Sequence, residues 1–255
     1  MYGVGWIPDT RTHYDTQSYG TMGTTFGADF PNVHDKLANF VAIKQQSITN
    51  SCVGWAANGC IYTFNQVRGI NVPFGSSRDV YTKTRIRMGR PLTDRGCFPF
   101  VAVSVMAEFG VASELDVPFD PALINDELSW ESVQASASQK VTAWRRIPND
   151  QNRIDELCRA VSVECPVMFG AQIDHSFDEY VERKSGVWNG CEQVPRGGHM
   201  MFVCGYSITD DFAIVANSWG TDLGIDGFVR ISLTAMRNLG LFSDFYVLEG
   251  APVIQ

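Results

Sequence analysis

The spacing of apolar residues changes near residue 165, and this change limits the folds open to the chain. Before it, apolar residues recur every three or four positions, as in Val53, Ala56, Ala57 and Cys60, which is the spacing of a buried helix face. After it come short runs rich in β-branched and aromatic residues, separated by Gly, Asn and Asp. These runs are 166–173, 198–208, 212–219, 227–233 and 245–250. We therefore predict an α+β fold whose mainly helical part precedes its mainly β part.

The length of 255 residues suits one large domain or two smaller ones that share a cleft. We expect a single unit, 1–255, with three parts. Residues 1–45 would form an N-terminal arm and a first strand, 46–153 a mainly helical subdomain, and 154–255 a mainly β subdomain.

The net charge of −8 argues against two kinds of partner. Nucleic acids and anionic membrane surfaces are both bound through clustered basic residues, which an acidic chain does not offer. No run of 18 apolar residues predicts a membrane span, and the first 15 residues lack the features of a signal peptide. We predict no nucleic-acid or membrane partner.

The seven cysteines are scattered, and none forms a CxxC pair or a His/Cys cluster at zinc spacing. An odd, scattered set is typical of a reducing compartment, so we expect a cytoplasmic protein or one exported without a cleavable signal. No metal and no cofactor is predicted.

Cys52 stands just after the candidate N-caps Asn50 and Ser51, at the start of a helix predicted to end near Gly69. Unpaired N–H groups and the helix dipole lower the pKa of a thiol at such a position, which favours a nucleophile. A cysteine here is also commonly a small, buried apolar residue. The position alone leaves both readings open.

Two later motifs give Cys52 its context. His199 follows two glycines and opens a predicted strand, while Asn217 ends another strand within NSWGTDLGIDGFVRI. Taken singly, His199 could be a hydrogen-bonded histidine at a strand end, and NSWG a tight turn that packs the indole of Trp219.

In this order and spacing, the motifs resemble those of the papain-like cysteine peptidases, in particular their prokaryotic or phage branch. Gln46 stands six residues before Cys52, and the histidine follows roughly 150 residues later. The resemblance implies a papain-like catalytic unit, with a helical left subdomain, an antiparallel, β-barrel-like right subdomain and an active-site cleft between them.

The resemblance also implies a role for each residue. Cys52 would be the nucleophile, His199 its partner in a thiolate–imidazolium pair, and Asn217 the group that orients the imidazole. Trp219 would shield the Asn217–His199 hydrogen bond from water. Gln46 would stabilise the oxyanion together with the Cys52 backbone N–H.

Two other residues compete for these roles. Gln45 is an alternative to Gln46, although its spacing from Cys52 fits less well. His175, beside Asp174, is an alternative to His199, but no glycine pair or NSWG motif accompanies it.

The resemblance further maps a main recognition pocket onto apolar residues. Its predicted substrate-binding residues are Gly198, Met200, Met168, Gly170, Phe119 (or Phe98) and Trp219. A soft, apolar pocket predicts a preference for a bulky apolar side chain two residues before the scissile bond.

Only 51 residues precede Cys52, and we assign them to an arm and a first strand, so we expect no inhibitory prosegment. The stretch GWIPDTRTHYD, 5–15, is similar to the start of prokaryotic relatives and suggests a bacterial or phage origin. We consider the arm 10–35 a candidate for covering the cleft.

The function expected is that of a thiol endopeptidase. The alternatives are a Cys-dependent acyl transferase or ligase, and a binding module that keeps the fold without turnover. The expected partners are a polypeptide substrate and a proteinaceous inhibitor, and we expect a monomer.

Overall fold

A computed structural model describes residues 2–9, 18–90, 93–126, 128 and 137–253, with only the backbone of residues 18 and 19. Parts of the predicted arm and of the GWIPDTRTHYD stretch lie outside the described residues. Among those described, no helix is both long and apolar enough to cross a bilayer.

Five α-helices lie in the described part of the chain. They are α1 (Cys52–Val67), α2 (Ser77–Arg87), α3 (Pro99–Phe109), α4 (Arg153–Ser162) and α5 (His175–Arg183). Local signals fix the ends of two of them. The Ser76 side chain accepts a hydrogen bond from the Asp79 N–H at the start of α2, and α3 begins at a proline and ends just before Gly110, whose φ is 70°. Short 3-10 helices span Lys36–Phe40, Pro121–Leu123 and Ala235–Arg237.

Nine strands of the described residues form one sheet, and all their pairings are antiparallel. They are β1 (Ser18–Tyr19), β2 (Val33–His34), β3 (Val111–Ala112), β4 (Ala137–Arg146), β5 (Val167–Ile173), β6 (Gly197–Ser207), β7 (Phe212–Ala216), β8 (Phe228–Ser232) and β9 (Phe242–Pro252). The main order is β1-β4-β9-β5-β6-β7-β8, with β2 beside β6 and β3 beside β4. The sheet is therefore open, with β1 and β8 at its ends.

Helix α1 packs directly on this sheet through glycines. A Cβ added to Gly59 would lie 2.4 Å from the Phe202 ring on β6, and one added to Gly250 on β9 would lie 2.8 Å from the Ile61 Cβ. Because helix and sheet approach so closely, the N-terminus of α1, where Cys52 lies, comes next to the start of β6, where His199 lies.

The α+β prediction is confirmed, and the five predicted β runs fall on β5 to β9. Strand β4 was not predicted. It lies within 46–153, the range expected to be mainly helical, yet it pairs with β9 near the end of the chain. The subdomain boundaries stay a prediction.

Candidate active site

Cys52, the first residue of α1, is fully buried. Burial raises the pKa of its thiol to about 11, although backbone N–H groups of Met200, Gly5, Val53 and Trp6 face the sulfur and oppose the rise. The expected depression of the Cys52 pKa is therefore wrong for this structure, because loss of solvent outweighs the helix N-terminus. The contact with Met200 places the sulfur beside the residue that follows His199.

His199 is also fully buried, and its Nε2 lies 2.8 Å from Asn217 Oδ1. The Ser218 N–H donates to the same oxygen at 2.8 Å, so Oδ1 acts as an acceptor and Nε2 carries the proton. Within the described residues, Nδ1 has no hydrogen-bond partner. Burial lowers the pKa of His199 to about 4 against the opposing Asn217 hydrogen bond, and the positive charge of Arg196 adds to the lowering.

Trp219 covers the imidazole. Its ring stacks on His199 with centroids 4.8 Å apart, and the ring of Tyr2 stacks on Trp219 at 5.1 Å. Phe177 packs edge-on against the same indole at 5.5 Å. The His199–Asn217 hydrogen bond thus lies in a water-poor aromatic environment.

Gln46 is buried and its amide is fully engaged. Its Nε2 donates to Gly3 O at 2.9 Å and to Thr49 O at 2.7 Å, while its Oε1 accepts from Ser218 Oγ at 2.5 Å. Gln45 instead donates to the backbone oxygen of Trp219 at 3.0 Å. Of the two glutamines, Gln46 is therefore the one whose amide faces the first residues of the chain.

The first residues of the chain, 2–9, which we call the N-terminal segment, lie across this site. On the helical side, the Gly3 N–H donates to Ser47 O at 3.3 Å, and the Cys97 N–H donates to Gly5 O at 2.9 Å. The Ile7 N–H returns a bond to Cys97 O at 3.2 Å, which makes a short parallel bridge.

The same segment is also bonded to the β side of the cleft. The N–H groups of Gly5 and Trp6 both lie 3.0 Å from Gly198 O, and Arg196 donates to Tyr2 O at 3.4 Å. The segment therefore joins both walls of the cleft and covers the Cys52 thiol.

Two predictions concern the N-terminus. We expect no inhibitory prosegment before Cys52, and we consider the arm 10–35 a candidate for covering the cleft, although residues 10–17 lie outside the described part of the chain. Residues 2–9 cover the site, while the described part of that arm lies on the sheet, with β1 against β4 and β2 against β6. Glycines at 3 and 5 permit the close approach, since a Cβ on Gly5 would lie 1.8 Å from Asn50 O.

The predicted pocket residues are only partly brought together. Gly170 and Gly198 both contact Trp6, and Met200 faces Cys52 through its backbone. Met168 is buried in the same hydrophobic core as Trp6 and Met200, Phe119 packs against Trp55 with centroids 4.7 Å apart, and Phe98 precedes α3.

His175 does not take part in this arrangement. It is the first residue of α5, its side chain is 63% exposed, and it lies 3.7 Å from the Asp178 carboxylate. The geometry favours His199 over His175 as the histidine of the site.

Asp94 supports the site, and the sequence reasoning missed this role. Its carboxylate accepts from the Asn50 N–H at 3.0 Å and from the Tyr81 hydroxyl at 2.8 Å, and Asn50 Nδ2 donates to Asp94 O at 2.7 Å. The Gly96 N–H donates to the same hydroxyl at 2.9 Å. Asp94 thus joins the loop before the thiol to the backbone that pairs with the N-terminal segment, and the turn sequence DRG was its only sign.

The chain is similar in sequence to a known family of proteins. The sequence profile described as "Papain family cysteine protease" matches residues 30–246, a range that begins after the N-terminal segment. An uncharacterized peptidase C1-like protein of Acanthamoeba polyphaga mimivirus is 24% identical over 163 residues, which are 61% of this chain and 52% of that protein. The chain thus spans about half the length of this relative.

Two solved structures share the fold. Xylellain, a cysteine protease from Xylella fastidiosa, superposes with a TM-score of 0.81 and 22% identity over 97% of this chain and 96% of that one. Bromelain from Ananas comosus, in complex with the E64 inhibitor, gives a TM-score of 0.67 and 23% identity over 86% of this chain and 99% of that one. At these identities, the two structures report on the fold.

Proposed function

The chain belongs to the papain family of cysteine proteases, and we propose that it cleaves peptide bonds with Cys52 as nucleophile. The observation that carries the proposal is the hydrogen bonding of the His199 ring. Nε2 is bonded to Asn217, while Nδ1 has no partner within the described residues. The backbone of the next residue, Met200, faces the Cys52 sulfur. Nδ1 is thus the nitrogen that takes the thiol proton.

The reaction uses this arrangement in two stages. The Cys52 thiolate attacks the peptide carbonyl carbon, and the protonated His199 delivers its proton to the amine that leaves. Water, deprotonated by His199, then attacks the thioester and releases the acid. Gln46 donates Nε2 to the oxyanion in both stages, from the position where it now donates to Gly3 O.

The N-terminal segment keeps Cys52 and His199 in their neutral, unreactive forms. Between a thiol pKa of about 11 and an imidazole pKa of about 4, both groups are neutral at neutral pH, so the reactive ion pair is absent. Departure of the segment readmits water and removes the desolvation that causes both shifts.

We assign the substrate as a polypeptide cleaved internally, with a bulky, largely apolar side chain two residues before the scissile bond. The pocket next to Gly170 and Gly198, now filled by Trp6, supports this preference. A cleft between two walls, once the segment has left it, suits an extended chain that continues on both sides of the cut.

The test uses the full chain carrying Gly5→Ala to disturb the segment, with a fluorogenic peptide and an epoxysuccinyl inhibitor. We expect hydrolysis, with one inhibitor covalently bound at Cys52. Hydrolysis and inhibitor binding are both lost in Cys52→Ser, and both are reduced by at least 100-fold in His199→Gln. Cys191→Ser, which changes a cysteine bonded to Gln172 O, is the matched control.

Mass analysis of the products separates hydrolysis from acyl transfer to an added amine. Absence of both turnover and inhibitor binding, in a protein that folds normally, would contradict the proposed function.

A further inference from the structure

Trp6 fills a slot shaped by two glycines. Its side chain is only 5% exposed, and its ring lies against Gly170 on β5 and Gly198 on β6. A Cβ built at Gly170 would lie 2.1 Å from the indole, and one at Gly198 would lie 2.7 Å from it. The slot is therefore wide enough for a flat aromatic ring only because neither strand carries a side chain there.

The end of this slot is a buried carboxylate. Asp244 Oδ2 accepts from Trp6 Nε1 and from the Asp9 N–H, both at 2.9 Å, and Oδ1 accepts from Arg146 at 2.7 Å. Asp244 is fully buried, and the Arg146 side chain is 2% exposed. Of these three donors from the described residues, two belong to the N-terminal segment and leave with it.

The backbone directs Asp244 into the slot. The pairing of β5 with β9 is irregular between Met168 and Gly170, opposite Asp244, whose φ is 55°. Aspartate adopts this left-handed conformation more readily than most residues other than glycine, and the irregular pairing accommodates it there.

The charge at the slot's end is balanced once the segment has left. Asp9, a second buried carboxylate near Asp244, belongs to that segment. The Arg146–Asp244 pair that remains is neutral, so a cation would meet this pair and the guanidinium instead of a free carboxylate. A purely apolar ring would leave Oδ2 buried without the donors that the segment supplies, which is costly. A neutral side chain with an N–H at its edge brings no extra charge and gives Oδ2 a hydrogen-bond donor.

We infer that Asp244 determines specificity in the slot that Trp6 vacates, and that the slot selects substrates with an indole side chain over apolar or cationic ones. Trp6 is thus a copy of the preferred substrate side chain. This inference rests on the proposed function and refines its apolar preference.

The first test does not depend on catalysis. In the full chain carrying Trp6→Ala, calorimetry measures binding of indole and of indene, which has the same fused rings with CH₂ in place of N–H. We expect indole to bind at least tenfold more tightly, and we expect that ratio to fall below threefold when Asp244→Asn is added. Equal binding of the two probes, or no binding of either, would overturn the inference.

The second test uses turnover. We compare kcat/KM of Gly5→Ala for peptides that carry Trp, naphthylalanine or Arg two residues before the cut, and expect Trp to exceed each by at least tenfold. Asp244→Asn should reduce the Trp-to-naphthylalanine ratio. Equal rates for Trp and naphthylalanine, or a preference for Arg, would refute it.

The two arms separate the possible failures. If the Trp6→Ala chain binds indole more tightly than indene, but no peptide is cleaved and no inhibitor binds, the proposed function fails and the recognition by Asp244 stands. If peptides are cleaved without preference for indole, the inference fails and the protease assignment stands.

Discussion

Burial sets the protonation of the two side chains that we propose to react. Cys52 and His199 are both fully covered, and desolvation penalises the charged form of each, so the thiol pKa rises while the imidazole pKa falls. The N–H groups around the sulfur are insufficient to reverse this effect. In this structure, solvent exclusion disfavours the ion pair that the proposed reaction needs.

One consequence concerns the reactivity of Cys52. With a pKa of about 11, its thiolate fraction at pH 7.5 is roughly 0.03%, against about 10% for an unperturbed thiol. We expect iodoacetamide to label Cys52 in the native chain at least 100-fold more slowly than a cysteine in a short peptide. Peptide mapping by mass spectrometry measures both rates in one mixture. Labelling at the peptide's rate would contradict the buried, neutral thiol.

The sequence allowed the residues of the site to be named but not their ionisation. The NSWG motif and the glycine pair predicted that Asn217 and His199 belong together, and they lie 2.8 Å apart. The pKa shifts depend on a segment more than 40 residues before Cys52 that carries no periodic pattern. Asp94 was missed for a similar reason, since its contacts with Asn50 and Tyr81 exist only in the folded chain.

At the scale of elements, the N-terminal segment depends on glycine. A Cβ on Gly5 would lie 1.8 Å from Asn50 O, which is backbone and cannot simply rotate away. The segment therefore stays in the cleft only while position 5 has no side chain.

We expect Gly5→Ala to displace the segment and to raise the rate of Cys52 labelling at least tenfold. Gly23→Ala is the matched control, because its added Cβ would meet its nearest atom at 3.7 Å, an ordinary contact distance. Circular dichroism verifies that both variants fold. Unchanged labelling in a folded Gly5→Ala would mean that the segment does not shield the thiol.

The elements themselves were unequally predictable. Helix α1 could be predicted from the spacing of its apolar residues, and strands β5 to β9 from their β-branched residues and the turn residues between them. Strand β4 (Ala137–Arg146) consists largely of Ala, Ser, Gln, Lys and Arg, which favour strands weakly, and it is stabilised by pairing with β9, about 100 residues later in the chain. Such long-range pairing leaves little trace in a local pattern.

At the scale of the whole molecule, the buried histidine makes stability depend on pH. The folded-state pKa of His199 is about 4 and its ordinary value is 6.5, so between these values the unfolded chain binds a proton that the folded chain does not. The contribution of His199 to stability is therefore complete above pH 6.5 and is lost as pH falls toward 4. Asp79 and Asp244, whose pKa values burial raises, act in the opposite direction.

Comparison of the wild-type chain with a histidine variant separates the effect of His199 from that of the other titrating groups. From pH 7 to pH 4, we expect the wild-type free energy of unfolding to fall by about 3 kcal/mol more than that of His199→Gln. Denaturant titrations at several pH values provide both curves. Parallel curves would show that His199 is not held neutral in the folded protein.

The contacts of Gly3 and Trp6 within the cleft have a kinetic consequence. A blocker on the same chain competes at an effective concentration that is commonly millimolar for a short flexible tether, and dilution does not reduce it. A free peptide at micromolar concentration is thus outcompeted roughly a thousandfold at equal intrinsic affinity. Relief of the block follows first-order kinetics at any protein concentration, and a single backbone cut between the segment and α1 would turn a tethered competitor into a peptide that diffuses away.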